Sequence, residues 1–218
     1  MMFQSTLRLA APIAPAHSRV PDVPALLAQT RPCAVTLYPE NAVIYAQSEA
    51  SGPLYLVEFG AVRICRMTSD GRRQISAFHL AGEVFGFECD VEHHFYAESV
   101  DGAGIRVLRP TTREHFADSV LPLALRSLGR AQEHLLLLGR QNAMERMAAF
   151  LLDLNDRQDT GRLIDLPMQR NDIADYLGLT FETVSRILRK LKDAGIIRLP
   201  TIKQIEVLDL GALQNLCE

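Results

Sequence analysis

Glu182, Ser185, Arg186 and Arg189 stand at i, i+3, i+4 and i+7 within TFETVSRILRKLKDAG (180–195). An α-helix turns about 100° per residue, so this spacing predicts one shared face. A carboxylate acceptor, a hydroxyl and two guanidinium forks are the groups that bond base edges and hold phosphates. Val184, Ile187, Leu188 and Leu191 repeat the spacing two residues later, which predicts a buried stripe on roughly the opposite side. The competing reading is a plain solvated face, the commoner fate of an isolated charged stripe.

The neighbouring elements decide between the two. Asp172 to Leu177 reads as a short helix with Ile173, Ala174 and Leu177 facing inward. Gln169 is its expected N-cap, a poor one beside Ser or Thr. Gly178 is the residue able to end it in the left-handed conformation, and Thr180 is a good N-cap for the second helix. Gly195 closes that helix, and Ile196–Leu199, a turn containing Pro200, and Gln204–Leu208 read as a two-stranded wing. A short helix, a glycine turn and a longer amphipathic helix make a helix–turn–helix. Arg186, Arg189, Lys190, Lys192 and Arg198 cluster there, opposed chiefly by Glu182 and Asp193, although the whole chain carries a net charge of −3. The basic character is therefore local.

Upstream, short alternating segments run from Ala34 to Leu108. Leu54–Glu58 and Ala61–Met67 flank Phe59-Gly60, and Arg72–His79 follows Asp70-Gly71, a strong hairpin dipeptide. Gly82, Gly86, Gly102 and Gly104 punctuate the rest. This pattern predicts a small antiparallel barrel or roll over residues 31–118. Residues 1–30, rich in Ala and Pro, are expected to form a loose tail, too broken by Pro12 and Pro15 for a signal-peptide core. At 218 residues, with 48% hydrophobic and 22% charged residues, the chain has the composition of a soluble globular protein with room for two modest domains. It contains no run of ~20 apolar residues, so a membrane-spanning helix is not expected; the cysteine pattern, with no disulfide framework, makes the cytoplasm the expected compartment.

Between roll and helix–turn–helix, Ser119 to Leu138 reads as a long helix within a 119–142 segment. Leu121, Leu125, Leu128, Gln132, Leu135 and Gly139 follow a four-three spacing, that of a coiled-coil seam. Leu136, Leu137 and Leu138 widen the apolar surface. A homodimer is the preferred reading, because two helix–turn–helices on a twofold axis double the base contacts; a core helix within one subunit is the alternative. A further helix, Ala143 to Asn155, and a turn at Asp159–Gly161 lead into a DNA-binding domain spanning 143–218.

The four cysteines, Cys33, Cys65, Cys89 and Cys217, include no CxxC pair, so neither a disulfide framework nor a zinc ribbon is expected. Reduced, mostly buried thiols are the expectation, with Cys217 the most exposed. His93 and His94 adjoin Cys89, but neighbouring residues on a strand point to opposite faces. A polar loop is preferred there over a metal or haem site. Cys89 with either histidine as nucleophile and base lacks an oxyanion hole and an orienting group, so the chain is not read as an enzyme.

An α+β chain with an N-terminal antiparallel β-roll, a dimerisation helix and a C-terminal winged helix–turn–helix, in that order, resembles the CRP/FNR family of bacterial transcription regulators. DGRRQISAFHLAGEVFGFE (70–88) and RNDIADYLGLTFETVSRIL (170–188) carry the resemblance. The E-x-x-S-R pattern of Glu182, Ser185 and Arg186 is that of the FNR branch, and GRAQEHLLLLGRQNAMERMAAFLLDL (129–154) adds likeness to the FixK group. The resemblance implies a cyclic-nucleotide-binding-like roll and a palindromic double-stranded DNA target with TTGAT or TTGAC half-sites. Arg186 would meet a guanine O6/N7 edge and Glu182 a cytosine amino group, with Ser185 and Phe181 on a thymine. Arg170 and Thr180 would grip phosphates, and Arg189 would extend that grip. RNA polymerase would touch the hairpin around Asp70–Ile75, which carries Arg72 and Arg73.

The family's cofactors are not implied. An FNR-type iron–sulfur cluster needs four thiolates, whereas the first thirty residues hold no cysteine and none stands at Ile105–Val107. The stretch Gly86-Phe87-Glu88 through Phe95-Tyr96-Ala97-Glu98 lacks the arginine that neutralises a cyclic phosphate, and a phosphate beside unbalanced carboxylates is costly to bury. The implied regulator binds no cofactor and controls genes of low-oxygen respiration or nitrogen metabolism. The alternative is a sensor of the same fold, gated by haem, nitric oxide or another small ligand in the roll.

Overall fold

The computed structural model describes residues 22–111, 116–139 and 142–217. Helix α1 (Asp22–Ala28) precedes a sheet of β1 (Val35–Tyr38), β2 (Val43–Tyr45), β3 (Leu54–Met67), β4 (Arg73–Leu80), β5 (Val84–Phe85) and β6 (Tyr96–Leu108). The strands pair antiparallel in the order β1-β6-β3-β4, with β2 added to β6 and β5 to β3. Tyr45, Val57, Val62, Phe85, Ala97 and Ile105 fill the interior.

The long strands differ from the expectation of several short ones. Phe59-Gly60 does not separate two strands: β3 runs through it, bent by register shifts on either side. Such bulges curve a strand without ending it. Gly60 has φ 79° and lies against Gly102 and Ala103 of β6, where an added Cβ would overlap the Gly102 carbonyl oxygen. Gly102 and Gly104 likewise lie inside β6, and the Phe59 ring occupies the space beside Gly104. Asp70-Gly71 does turn the chain, joining β3 to β4.

Residues 22–28 are not part of a loose tail. Helix α1 buries Leu26 completely, against a cluster holding Leu54, Leu108 and Leu123. Val23, Leu26 and Leu27 form a short i, i+3, i+4 stripe that supplies the docking face. Residues 1–21 lie outside the described residues.

Helices α2 (Phe116–Gly139) and α3 (Ala143–Gln158) follow. Asn142 caps α3 by accepting the Met144 N–H at 2.9 Å, and Asp159 ends it at φ 49°. Beyond lie β7 (Leu163–Asp165), α4 (Arg170–Leu177), α5 (Phe181–Asp193), β8 (Ile197–Thr201), β9 (Gln204–Val207) and α6 (Leu210–Asn215). Neither β7 nor α6 was expected; β7 completes a β7-β9-β8 sheet. Pro200 sits inside β8, not in the wing turn, as an edge strand permits. One apolar cluster joins Ile75, Phe78 and Leu80 of the roll to Phe150, Leu151, Ile173, Leu177 and Leu188.

The thiols also differ from expectation. Cys65 is buried, Cys89 is exposed, and Cys33 and Cys217 are half-buried. Helix α6 folds back on the core and takes Cys217 with it. Burial pushes the Cys65 thiol up to about 12, which keeps it protonated and inert. No helix among the described residues is long and apolar enough to cross a membrane.

Candidate nucleic-acid interface

The short helix α4 is preceded by Gln169, an N-cap whose side chain makes no capping bond, and is closed by Gly178 with φ 62° and ψ 42°. Thr180 caps α5, its Oγ1 accepting the Thr183 N–H at 3.2 Å. Glu182 lies in the first turn of α5 and Lys190 and Lys192 in the last, each sign where the helix dipole favours it. Val184, Ile187, Leu188 and Leu191 are all buried. The opposite face carries Phe181, Glu182, Arg186 and Arg189 exposed, with Ser185 half-buried among them.

Bonds within this face set its polarity. Arg170 Nη1 donates to Ser185 Oγ at 3.2 Å. The serine oxygen is thus engaged as an acceptor, which leaves its hydroxyl proton to donate outward. Arg186 Nη2 donates to Thr183 Oγ1 at 3.4 Å, a brace along its own helix. Arg198 is committed to Glu206 within the wing, Nε to Oε2 at 2.7 Å, so it adds little to the basic cluster. Arg146 Nη1 donates to the Leu177 carbonyl at 3.0 Å; no local sequence signal marks this support of the turn.

The α2 seam stands out of the single chain. Leu121, Leu125, Leu128 and Leu135 are 58%, 57%, 54% and 70% exposed, and Gln132 is exposed beside them. Leu123 and His134 turn inward instead.

At the β3–β4 hairpin the structure separates two arginines that the sequence places together. Arg72 is exposed and pairs with Asp70 at 2.7 Å. Arg73 turns inward to Asp175, Nε to Oδ2 at 3.0 Å, and to Asp172. Arg72 belongs to the turn and Arg73 is the first residue of β4, so Arg73 is directed to α4 and away from the surface expected to meet polymerase.

In the roll, His93 lies in the polar loop between β5 and β6, but its ring turns into the core. It is buried, stacks on Tyr45 with centroids 3.6 Å apart, and places Nδ1 3.4 Å from Glu88. His94 is half-exposed, its Nδ1 3.1 Å from Glu88 and its Nε2 3.2 Å from Asp90. The Cys89 thiol faces the Asp90 carboxylate at 3.7 Å, not an imidazole. Among the described residues no three His, Cys, Asp or Glu converge as metal ligands, and the dispersed cysteines do not fit a four-thiolate cluster.

A cavity of about 570 Å³ lies between the roll, α2 and α3, lined by Tyr45, His79, Phe85, Arg130, Phe150 and Tyr176 among others. Burial pushes His79 down to about 4, and its buried Nδ1 has no hydrogen-bond partner. Burial works to raise the nearby Glu83 carboxyl, but Arg157 and Arg130 override it and hold the group below the usual carboxylate range. Both arginines lie 2.8 Å from Glu83. Arg130, a cation lining the cavity, is therefore already balanced. Glu98 is held by Arg63 at 2.7 Å.

The chain matches the model of the Crp-like helix-turn-helix domain over residues 145–216 and that of the cyclic nucleotide-binding domain over residues 35–100. It is 47% identical over 186 residues to the nitrogen fixation regulation protein FixK of Rhizobium meliloti, a span covering 85% of this chain and 88% of that one. FixK of Azorhizobium caulinodans is 41% identical over 192 residues, covering 83% and 77%. The solved structure of FixK2 from Bradyrhizobium japonicum aligns with a TM-score of 0.79 at 39% identity, over 85% of this chain and 98% of that one. These relatives are regulators, not enzymes. A capped, outward-facing α5, a roll of this topology and relatives that match along most of both chains lead to one assignment: the chain belongs to the FixK-like group of the CRP/FNR transcription regulators and binds DNA through its helix–turn–helix.

Proposed function

We propose that the chain acts in the cytoplasm as a homodimer, reads a palindrome of TTGAT or TTGAC half-sites, and activates transcription without a bound effector. One observation carries this reading: Glu182, Arg186 and Arg189 stand exposed on a single face of α5 with Ser185 between them. Arg186 takes a guanine edge, Glu182 a cytosine amino group, and Ser185 and Phe181 a thymine. Arg170, Thr180 and Arg189 meet phosphates, Thr180 at the positive end of α5. The work divides into a roll (31–118), a dimerisation helix (119–142) and a DNA-binding domain (143–218). The exposed α2 leucines support pairing through Leu121, Leu125, Leu128, Gln132 and Leu135. The Asp70–Arg72 turn is the hairpin surface left for RNA polymerase. The regulated genes serve low-oxygen respiration or nitrogen metabolism, the second by analogy with the relatives' name, nitrogen fixation regulation protein.

A mobility shift with aerobic, metal-free, ligand-free protein on a TTGAT/ATCAA palindrome tests the reading. Retardation of that duplex and not of a scrambled one is expected; equal retardation of both refutes the assignment.

The roll cavity, with a buried His79 nitrogen that makes no hydrogen bond, favours a second reading, a regulator gated by a small ligand. Freshly purified protein with a Soret band, or DNA binding only after a ligand is added, would select it.

A further inference from the structure

Helix α4 is gripped by elements outside the helix–turn–helix. From β3, Arg63 places Nη1 3.3 Å from Asp172 Oδ2 while its Nη2 and Nε hold Glu98 at 2.7 and 2.8 Å. From β4, Arg73 bonds Asp175 through Nε and Nη2 at 3.0 and 2.8 Å and also reaches Asp172. From α2, the His134 ring stacks on Tyr176 at 3.9 Å, with Nε2 2.8 Å from the Tyr176 carbonyl oxygen. The Arg63 and Asp172 side chains are only 6% and 5% exposed. Charges this deeply buried hold one geometry, because either left without its partner is costly.

None of these contacts uses the exposed face of α5. Glu182, Arg186 and Arg189 remain open to solvent, so the grip does not mask the surface that reads DNA. A dimer reads a palindrome only if its two reading helices lie about one duplex turn, roughly 34–36 Å, apart. A helix–turn–helix free to rock on the roll would lose affinity in proportion to the fraction of molecules out of register. A regulator without an effector has to supply that restraint from its own residues.

We propose that Arg63 and Arg73 are positioning residues for DNA binding: by pairing with Asp172 and Asp175 they fix α4 on the roll and so fix the separation of the two reading helices. The inference rests on the effector-free dimer reading and deepens it.

The test uses the full chain. Wild type, Arg73→Gln, Asp175→Asn and the double variant are titrated by fluorescence anisotropy onto the TTGAT/ATCAA palindrome and onto the same palindrome with a spacer longer by about two base pairs, a change of register on the duplex. Sedimentation and thermal melts report dimerisation and folding. Folded, dimeric Arg73→Gln and Asp175→Asn are each expected to bind the palindrome about tenfold to a hundredfold more weakly and to lose preference between the spacers. The double variant should be no worse than Arg73→Gln alone, because Asp175 acts through Arg73, whereas Arg73 also reaches Asp172. Arg73→Lys, which keeps the charge, should recover part of the affinity and the spacing preference.

Unchanged spacing preference in Arg73→Gln overturns the inference. Tighter binding by the variant also overturns it, since the contact would then hold the domain away from DNA. If Arg73→Gln fails to fold, Asp175→Asn and Arg73→Lys carry the same comparison. Wild-type protein that binds neither duplex overturns the effector-free reading and this inference with it, whereas wild-type binding beside an unaffected Arg73→Gln overturns this inference alone.

Discussion

The hydroxyl of Ser185 is the smallest group on the reading face and the one whose role depends most on a neighbour. With Arg170 donating to its oxygen at 3.2 Å, its proton is left to donate, and thymine O4 is the acceptor proposed for it. Arg170→Ala should therefore weaken discrimination at that base as well as overall affinity, and the added loss of discrimination should vanish in a Ser185→Ala background. Affinities on duplexes substituted at that one base pair check this. Arg186→Ala should abolish specific binding, at about 1–3 kcal/mol per half-site, with the melting temperature unchanged because the side chain is exposed. An unaltered footprint would refute the base contact. The exposed polar face of α5 was legible because one helix carries it in one periodic run. The Arg170–Ser185 bond was not, since it depends on how two helices cross. Arg73 was misplaced for the same reason: its partners lie on α4, about a hundred residues along the chain, and no local pattern announces them.

Among the elements, α2 presents the clearest unpartnered surface. Leu128 and Leu135 are exposed in the single chain, so Leu128→Glu with Leu135→Glu should leave the fold intact while placing carboxylates in the apolar seam of the proposed dimer, where burial is costly. Sedimentation velocity should show a monomer, and a profile that stays dimeric would locate the interface elsewhere. The four-three spacing was readable because a seam repeats over several turns. The shorter elements were harder. Helix α1 is a single docking face inside an Ala- and Pro-rich segment, and β3 was divided at Gly60 because a glycine that bends a strand has the same local signature as one that ends it. Pro200 suggested a turn for a similar reason. Only its place on an edge strand, visible in the β7-β9-β8 order, shows why the strand continues through it.

Across the whole molecule, the buried group of His79, Glu83, Arg130 and Arg157 links the roll to α2 and α3. His79 is held at about 4 in the folded chain, against an ordinary value near 6.5 when unfolded. Between those values the unfolded chain binds a proton that the folded chain refuses. Its contribution is therefore fully present above about pH 6.5 and drains away as pH falls towards 4, by roughly 2–3 kcal/mol. Glu83, held low, acts with the same sign: its contribution is present above its unfolded value and is lost as pH falls through its folded one. Urea midpoints at pH 7.5 and pH 5 should differ accordingly, and His79→Gln should flatten the difference across the upper part of that range.

The apolar cluster that runs without a break from Ile75 and Phe78 to Leu177 and Leu188 ties the fate of the roll to that of the helices that meet DNA. Heat should find one cooperative unit, so scanning calorimetry should record a single endotherm. Brief digestion with trypsin should release no protease-resistant carboxy-terminal piece, and recovery of such a fragment would mean that the two halves fold separately. A lesion deep in the roll, such as Phe78→Ala, would then silence promoter recognition from a distance by melting the reader along with its support.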